Sequence, residues 1–171
     1  MARQLWLLRH AEAEPHGSRE DSARRLTERG ERQARAAGAA LARIGLGFEA
    51  VLYSPKARAC QTAEIAAEAW PEEERAKLAV YEPLASDFDT RRALELIGGF
   101  PADARVLLVG HEPDLSRIVG DLTGARIDLK KGGLAVVRLA GAGGQLAVLM
   151  QPRELSLIAE DPVASGPLGR D

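Results

Sequence analysis

Three short apolar runs of this chain each lead into a histidine or a cation, and this pattern constrains the fold most. The runs and their followers are Leu5–Leu8 before Arg9-His10, Ala50–Tyr53 before the segment with Arg58, and Arg105–Val109 before Gly110-His111. Runs of four or five residues are typical of buried strands and too short for core helices. Open α/β sheets bind ligands at the carboxyl edge of their strands. The pattern therefore predicts that one sheet edge collects two histidines and two arginines.

Helix-like segments separate these runs. Thr27 is a candidate N-cap for a helix that ends near Ile44, and Ser54-Pro55 is a candidate start for a helix that ends near Ala69. Further helices are expected at 89–97 and 113–122, a strand at 78–81, and a hairpin from 134–139 and 145–150. Strands that alternate with helices are typical of a largely parallel sheet covered on both faces. We predict an α/β fold, a three-layer α/β/α sandwich with a mostly parallel central sheet.

The length of 171 residues is typical of one domain with its own core. No internal repeat or linker interrupts the pattern of strands and helices, so we expect a single domain over residues 1–151. The remaining segment contains the prolines and glycines Pro152, Pro162, Gly166, Pro167 and Gly169. Such a composition predicts a loosely held C-terminal tail over residues 152–171.

Composition limits the classes of partner. A net charge of −2 and an aromatic content of 4% argue against nucleic-acid binding, which uses basic fields and stacking platforms. No apolar stretch is long enough to span a membrane, and the first residues lack a secretory-signal pattern. Cys60 is the single cysteine, which excludes an intrachain disulfide and suits a reducing compartment. We expect a cytoplasmic protein, and the oligomeric state stays open.

Phosphoryl chemistry fits the residues at the predicted sheet edge. A neutral imidazole can attack phosphorus, which makes His10 the candidate nucleophile. The guanidinium of Arg9 can bind two phosphate oxygens, and Arg58 adds its charge to the N-terminus of a helix. A protonated His111 could bind a third oxygen. Together these groups match the charge of a phosphoryl transition state.

Several carboxylates are candidates for a general acid. Glu82 follows a predicted strand and is the first candidate, with Asp87, Asp89 and Glu112 as weaker ones. Each can also be an ordinary exposed carboxylate. Lys130 and Lys131 can border an anionic site or form a solvated turn, Cys60 is expected to be a packing residue, and the loop residues Glu12 and His16 are expected to contact substrate.

A metal site is the minority interpretation. His10, His111, Glu12 and Glu112 are ligand types, but no two histidines have the close spacing of a zinc helix motif. Arg9 beside the first ligand would also repel a cation. We therefore expect neither a metal nor an organic cofactor.

The motifs resemble those of the histidine phosphatase superfamily, also called phosphoglycerate mutase-like. Leu8-Arg9-His10-Ala11-Glu12 resembles its Arg-His-Gly signature, with alanine in place of the usual glycine. Similar to the later motifs are Leu26-Thr27-x-x-Gly30-x-x-Gln33-Ala34, Ser54-Pro55-x-x-Arg58-Ala59-x-Gln61-Thr62-Ala63 and Gly110-His111-Glu112-Pro113. Order and spacing fit over roughly residues 3–150. The resemblance implies transient phosphorylation of His10, a phosphate pocket of Arg9, Arg58 and His111, and a proton donor at the position of Glu82.

Within this superfamily the sequence most resembles the small SixA-like branch. Members of that branch are phosphohistidine phosphatases that act on signalling phosphocarrier domains. Few residues separate Gln61 from Glu82 or Glu82 from His111, so there is little chain to enclose a small metabolite. Phosphohistidine also has a leaving group that protonates near neutral pH. We expect a phosphohistidine-carrying signalling protein as partner. The alternatives are a small-molecule phosphomonoesterase for a sugar or nucleotide phosphate, and a catalytically inactive phosphate- or phosphoprotein-binding module.

Overall fold

The computed structural model of the protein describes residues 2–160. Its strands are β1 (Gln4–Arg9), β2 (Ala50–Tyr53), β3 (Leu78–Val80), β4 (Arg105–Gly110), β5 (Leu134–Ala140) and β6 (Gly143–Met150). Its helices are α1 (Glu28–Ile44), α2 (Ala57–Ala67), α3 (Glu72–Arg75), α4 (Thr90–Gly98), α5 (Asp114–Thr123) and α6 (Pro152–Ala159). Two short 3-10 helices, Asp21–Ala23 and Glu82–Ala85, lie in the connections. None of the helices within residues 2–160 is long and apolar enough to cross a membrane.

The six strands form one sheet in the order β3-β2-β4-β1-β5-β6. The first four run parallel, and β5 and β6 form an antiparallel hairpin at one edge. In this register Leu8 pairs with Val109, and Tyr53 also pairs with Val109. The carboxyl ends of β1, β2 and β4 are therefore level with one another.

Two apolar cores, one on each face of the sheet, confirm the predicted α/β sandwich. On one face Trp6 and Leu8 of β1 pack with apolar residues of α1, α2 and α6. On the other face Leu5 and Leu7 pack with α4 and α5. Successive residues of a strand point to opposite faces, so the apolar run of β1 supplies both cores. This burial fixes β1 at the centre of the molecule and its last residues at the functional edge.

The start of α2 differs from the prediction. The helix begins at Ala57 and not at Pro55, because Lys56 has extended backbone angles. The hydroxyl of Ser54 accepts a hydrogen bond from the Lys56 N–H at 3.2 Å and lies 2.8 Å from Nε2 of His111. The Ser54 hydroxyl thus contacts His111 at the end of β4 and does not cap the helix.

The expectation of a loosely held tail is wrong for residues 152–160. Pro152 occupies the first turn of α6, where the missing N–H of proline costs no helical hydrogen bond. Gln151 and Glu154 cap this helix reciprocally, and Leu155 is only 1% exposed in the core that α1 and α2 share. Residues 161–171 of the expected tail lie outside the described residues.

Candidate active site

The carboxyl edge of the sheet collects the side chains that the sequence singles out. Arg9 ends β1 and His10 follows it, Glu82 follows β3, and His111 follows β4. Arg58 lies in the first turn of α2, which begins at the same edge. The rings of His10 and His111 have centroids 5.2 Å apart. The charges of Arg9 and Arg58 both act on His10 and on His111, so these four residues form one cluster.

One hydrogen bond fixes the protonation of the His10 ring. Nδ1 of His10 lies 2.7 Å from the backbone carbonyl oxygen of Ala11. A carbonyl oxygen only accepts, so Nδ1 carries the proton and Nε2 has the lone pair. Burial, together with the charges of His111, Arg58 and Arg9, lowers the pKa of His10 to about 3, although the hydrogen bond to the Ala11 carbonyl acts in the opposite direction. The ring is therefore neutral over the ordinary pH range, with a nucleophilic nitrogen at Nε2.

The backbone beside His10 is held by residues of the other motifs. The hydroxyl of Thr62 accepts the N–H of Ala11 at 3.0 Å and donates to the Arg58 carbonyl at 2.7 Å. Gln33 accepts the N–H of Glu12 at 2.9 Å. The hydrogen bonds of Thr62 and Gln33 go to backbone groups and not to the imidazole rings. They connect the His10 segment to α1 and to the helix that carries Arg58.

Glu12 supports the start of α1. Its carboxylate accepts the Thr27 hydroxyl at 2.9 Å and pairs with Arg29 at 3.2 Å. Thr27 caps the helix by accepting the N–H of Gly30. A Cβ at position 30 would collide with the backbone carbonyl oxygen of Glu12, which explains the glycine. A substrate contact of Glu12 stays a prediction, and so does that of His16, which is exposed with Nδ1 3.8 Å from Asp21.

Three nitrogens around His10 are buried without a hydrogen-bond partner among the described residues. They are Nε of Arg9, Nε of Arg58 and Nδ1 of His111. A buried polar group left unpaired costs about 1–3 kcal/mol, and the two guanidinium nitrogens are donors, so the cluster suits an acceptor-rich group. Burial and the charge of Arg58 lower the pKa of His111 to about 3. A bound anion would oppose both effects.

Asp21 is a residue that the sequence analysis missed. Its backbone oxygen accepts from Nη1 of Arg58 at 2.7 Å, and its carboxylate lies 3.3 Å from Nη2 of the same guanidinium. The carboxylate also contacts Lys56 and Arg24. Burial raises the pKa of Asp21, but these hydrogen bonds and cationic charges outweigh it, and the pKa lies far below its usual value. Asp21 thus orients Arg58 and balances part of the positive charge.

The candidate acids occupy different surroundings. Glu82 is exposed and lies two strands from β4, which corresponds to about 10 Å at the spacing of neighbouring strands. Glu112 is adjacent to His111, and burial raises its pKa. Asp89 accepts the N–H of Arg92 as the cap of α4, whereas Asp87 lies in a left-handed backbone conformation. The structure brings none of these carboxylates into contact with His10.

Within residues 2–160, no group of three His, Cys, Asp or Glu side chains is arranged to hold a metal ion. The half-buried Cys60 contacts backbone carbonyls, with Sγ 3.4 Å from that of Ser54. Lys130 and Lys131 border a groove next to Arg9.

Known proteins resemble this chain in sequence and in fold. Residues 5–82 match the sequence model of the histidine phosphatase superfamily (branch 1). An uncharacterized protein of Picosynechococcus sp. strain PCC 7002 is 36% identical over 148 residues, which cover 81% of this chain and 87% of that protein. The solved structure of the protein histidine phosphatase SixA complexed with tungstate has a TM-score of 0.75 and 25% identity, and covers 89% of this chain and 99% of its own.

A third similar protein shows the fold alone. It is described as a candidate alpha-ribazole-5'-P phosphatase from Escherichia coli K-12, with a TM-score of 0.73 at 20% identity, and the match covers 88% of this chain and 98% of that one. The same backbone therefore occurs in proteins with different described substrates.

Replacing Thr62 by valine tests the connection between the His10 segment and α2. Valine keeps the shape but leaves the buried Ala11 N–H unpaired, so the free energy of unfolding should fall by about 1–3 kcal/mol. Urea unfolding measures this loss, and Thr62→Ser, which retains the hydroxyl, is the matched control. Equal stability of the two variants would contradict the role of this hydrogen bond.

Acid should destabilise the protein through its two buried imidazoles. Both stay neutral in the folded protein and take up protons when unfolded, so the unfolded state binds more protons below pH 6.5. The free energy of unfolding should therefore fall from pH 6.5 to about 4.5, by up to about 1.4 kcal/mol per pH unit for each ring. His10→Gln and His111→Gln should each reduce this slope, whereas His16→Gln, at an exposed position, should not. A wild-type slope in both buried-site variants would refute the interpretation.

Proposed function

The chain belongs to the histidine phosphatase superfamily, and on that premise we propose that it removes phosphate from a phosphohistidine on a protein, through a covalent intermediate on His10. The observation that carries the proposal is the hydrogen bond from Nδ1 of His10 to the Ala11 carbonyl. It leaves Nε2 as the nucleophilic nitrogen among two guanidiniums and a second imidazole. No metal or organic cofactor enters the proposed reaction.

The first step forms a phosphorus–nitrogen bond at Nε2 of His10 and breaks the bond from phosphorus to the leaving group. For a phosphohistidine substrate the leaving group is an imidazole nitrogen, which takes up a proton as it departs. Arg9, Arg58 and His111 bind the equatorial oxygens, and the charges of the two guanidiniums stabilise the transition state. The positive charge that develops on the His10 ring is stabilised by the Ala11 carbonyl.

The second step is attack of water on the phosphorylated His10. The nitrogen–phosphorus bond breaks, inorganic phosphate leaves, and the neutral ring is restored with its proton on Nδ1. Water needs access to the phosphoenzyme for this step, which an edge built from strand ends and short connections allows. We propose the cytoplasm as the compartment, because the single cysteine suits a reducing environment.

Glu82 is proposed as the proton donor to the leaving group. Its exposed position at the end of β3 suits a donor that meets a leaving group carried by another protein. Glu112 is the competing carboxylate, since its raised pKa favours the protonated form. Comparing the two residues by substitution separates these assignments.

A small-molecule phosphomonoesterase is the second candidate function. The likeness to the candidate alpha-ribazole-5'-P phosphatase is compatible with it through the shared fold. An inactive binding module is disfavoured, because a module that only binds phosphate has no need of a nucleophilic Nε2 on His10.

Phosphate release from a phosphohistidine-bearing carrier protein tests the proposed function. We expect turnover of this substrate with higher kcat/KM than for a panel of sugar, nucleotide and aryl phosphates. His10→Ala should lower turnover by at least about 1,000-fold, as loss of a nucleophile does, with unchanged thermal unfolding as the check on folding. Arg75→Ala, at an exposed position in α3, is the control and should retain activity, and a chelator should have no effect. Preference for one small ester would make the protein a metabolic phosphatase, and an active His10→Ala variant would refute the nucleophile.

Glu82→Gln tests the proposed proton donor. An alkyl phosphate has a poor leaving group and depends on general acid catalysis, which contributes about 100-fold or more, whereas a phosphohistidine depends on it less. The variant should therefore lose more kcat with alkyl phosphates than with phosphohistidine. Glu112→Gln is measured beside it. If Glu112→Gln shows this difference and Glu82→Gln does not, the proton donor is Glu112.

A further inference from the structure

A groove of positive charge begins at Arg9 and extends away from the proposed active site. We call it the basic groove and define its cations as Arg29, Arg32, Lys130, Lys131 and Arg153. It consists of two cavities of about 310 and 590 Å³ that share Arg29, Gln33, Lys130 and Pro152 in their lining. Arg9 lines the smaller cavity, so the basic groove is continuous with the cluster around His10.

The cations of the basic groove are mostly unpaired. Among residues 2–160, no carboxylate lies within ion-pair distance of the four exposed side chains Arg32, Lys130, Lys131 and Arg153. The carboxylates that line the groove are Glu12, Asp128 and Glu154. Glu12 is occupied by Thr27 and Arg29, and Glu154 accepts the Gln151 N–H. A chain with a net charge of −2 thus presents a locally positive surface beside the site.

The basic groove is held in a fixed position relative to His10. Gln151 accepts the N–H of Lys130 at 3.0 Å and donates to the Asp128 carbonyl at 2.8 Å, which connects the segment before β5 to the start of α6. Gly132 donates its N–H to the carbonyls of Arg9 and His10, each at 3.1 Å. Because β5 neighbours β1 and β6 lies beyond it, the groove reaches about 10 Å from the axis of β1.

We propose that the basic groove docks an acidic surface patch of the protein that carries the phosphohistidine. This inference rests on the proposed function and names the surface that would recognise the partner. The buried cluster of Arg9, Arg58 and His111 suits the phosphoryl group, whereas exposed cations spread over three segments suit several carboxylates at a distance from it. Exposed charges of this kind raise association rates by electrostatic steering. Glu82 lies on the opposite side of the site, beyond β2. A docked protein would therefore face both the basic groove and Glu82.

The test is reversal of charge at two groove positions outside the proposed catalytic residues. Arg32→Glu/Arg153→Glu changes exposed residues near the N-terminal ends of α1 and α6, where glutamate is compatible with the helix. The matched control is Arg75→Glu/Arg126→Glu, with the same change in net charge at exposed positions in α3 and after α5. Helices α3 and α5 both end at the edge of the sheet opposite the proposed active site.

The readout compares a phosphohistidine carrier protein with free phosphohistidine. The groove variant should lose at least about tenfold in kcat/KM for the carrier at low salt, mainly through KM, and its salt dependence should become weaker. It should keep kcat/KM for free phosphohistidine within about twofold, and the control variant should keep both. An unchanged kcat/KM for the carrier would overturn the docking surface. Equal losses with both substrates would make the groove part of a small-molecule site and would also overturn it.

A binding measurement separates failure of docking from failure of the proposed function. The unphosphorylated carrier is titrated into His10→Ala and into His10→Ala that also carries the groove substitutions. Weaker binding in the second protein supports the docking surface whether or not the wild type turns over the carrier. Equal affinities overturn it. Absence of turnover by the wild type overturns the proposed function alone.

Discussion

The hydrogen bond from Nδ1 of His10 to the Ala11 carbonyl is the interaction on which the rest of the site depends. It places the proton on one nitrogen and the lone pair on the other, and it works only while the Ala11 peptide keeps its orientation. Gln33 holds the Ala11–Glu12 peptide by accepting the N–H of Glu12, and the hydroxyl of Thr62 holds the preceding peptide by accepting the N–H of Ala11. The same hydroxyl donates to the Arg58 carbonyl, so one buried threonine holds the proposed nucleophile His10 and the helix that carries Arg58 in a common frame.

Gathering cations around a neutral histidine has an electrostatic cost, and the structure limits it in two ways. Backbone carbonyls orient the two guanidiniums: Arg9 donates to the Leu129 carbonyl and Arg58 to the Asp21 carbonyl. These carbonyls accept hydrogen bonds without neutralising the charge. The Asp21 carboxylate then offsets part of the charge on the Arg58 side. Burial first, and then the positive charge that remains unbalanced, lowers the pKa of both histidines. The phosphoryl group of the proposed substrate would supply the missing negative charge.

Much of the fold and the proposed cluster could be predicted from the sequence, because both depend on local patterns. Short apolar runs mark β1, β2 and β4, and the residue after each run must lie at the carboxyl edge of a parallel sheet. Asp21 could not be found this way, since its partner Arg58 is 37 residues away and its own segment has no periodicity. Helix α6 was missed because Pro152 is equally compatible with a loop and with a first helical turn, and only the burial of Leu155 decides.

The division between a buried cluster and an exposed groove bears on how a substrate would be selected. His10 and His111 are 6% and 8% exposed, so the site can admit a phosphoryl group but offers little surface to whatever carries it. Specificity must then come from contacts outside the cluster. The two sides of the cluster differ, because exposed cations lie toward β6 and the exposed carboxylate of Glu82 lies at the end of β3. A small ester with its phosphorus at Nε2 of His10 would not extend along the basic groove. The protein substrate proposed above would do so, and substitutions in the basic groove would alter its KM before its kcat.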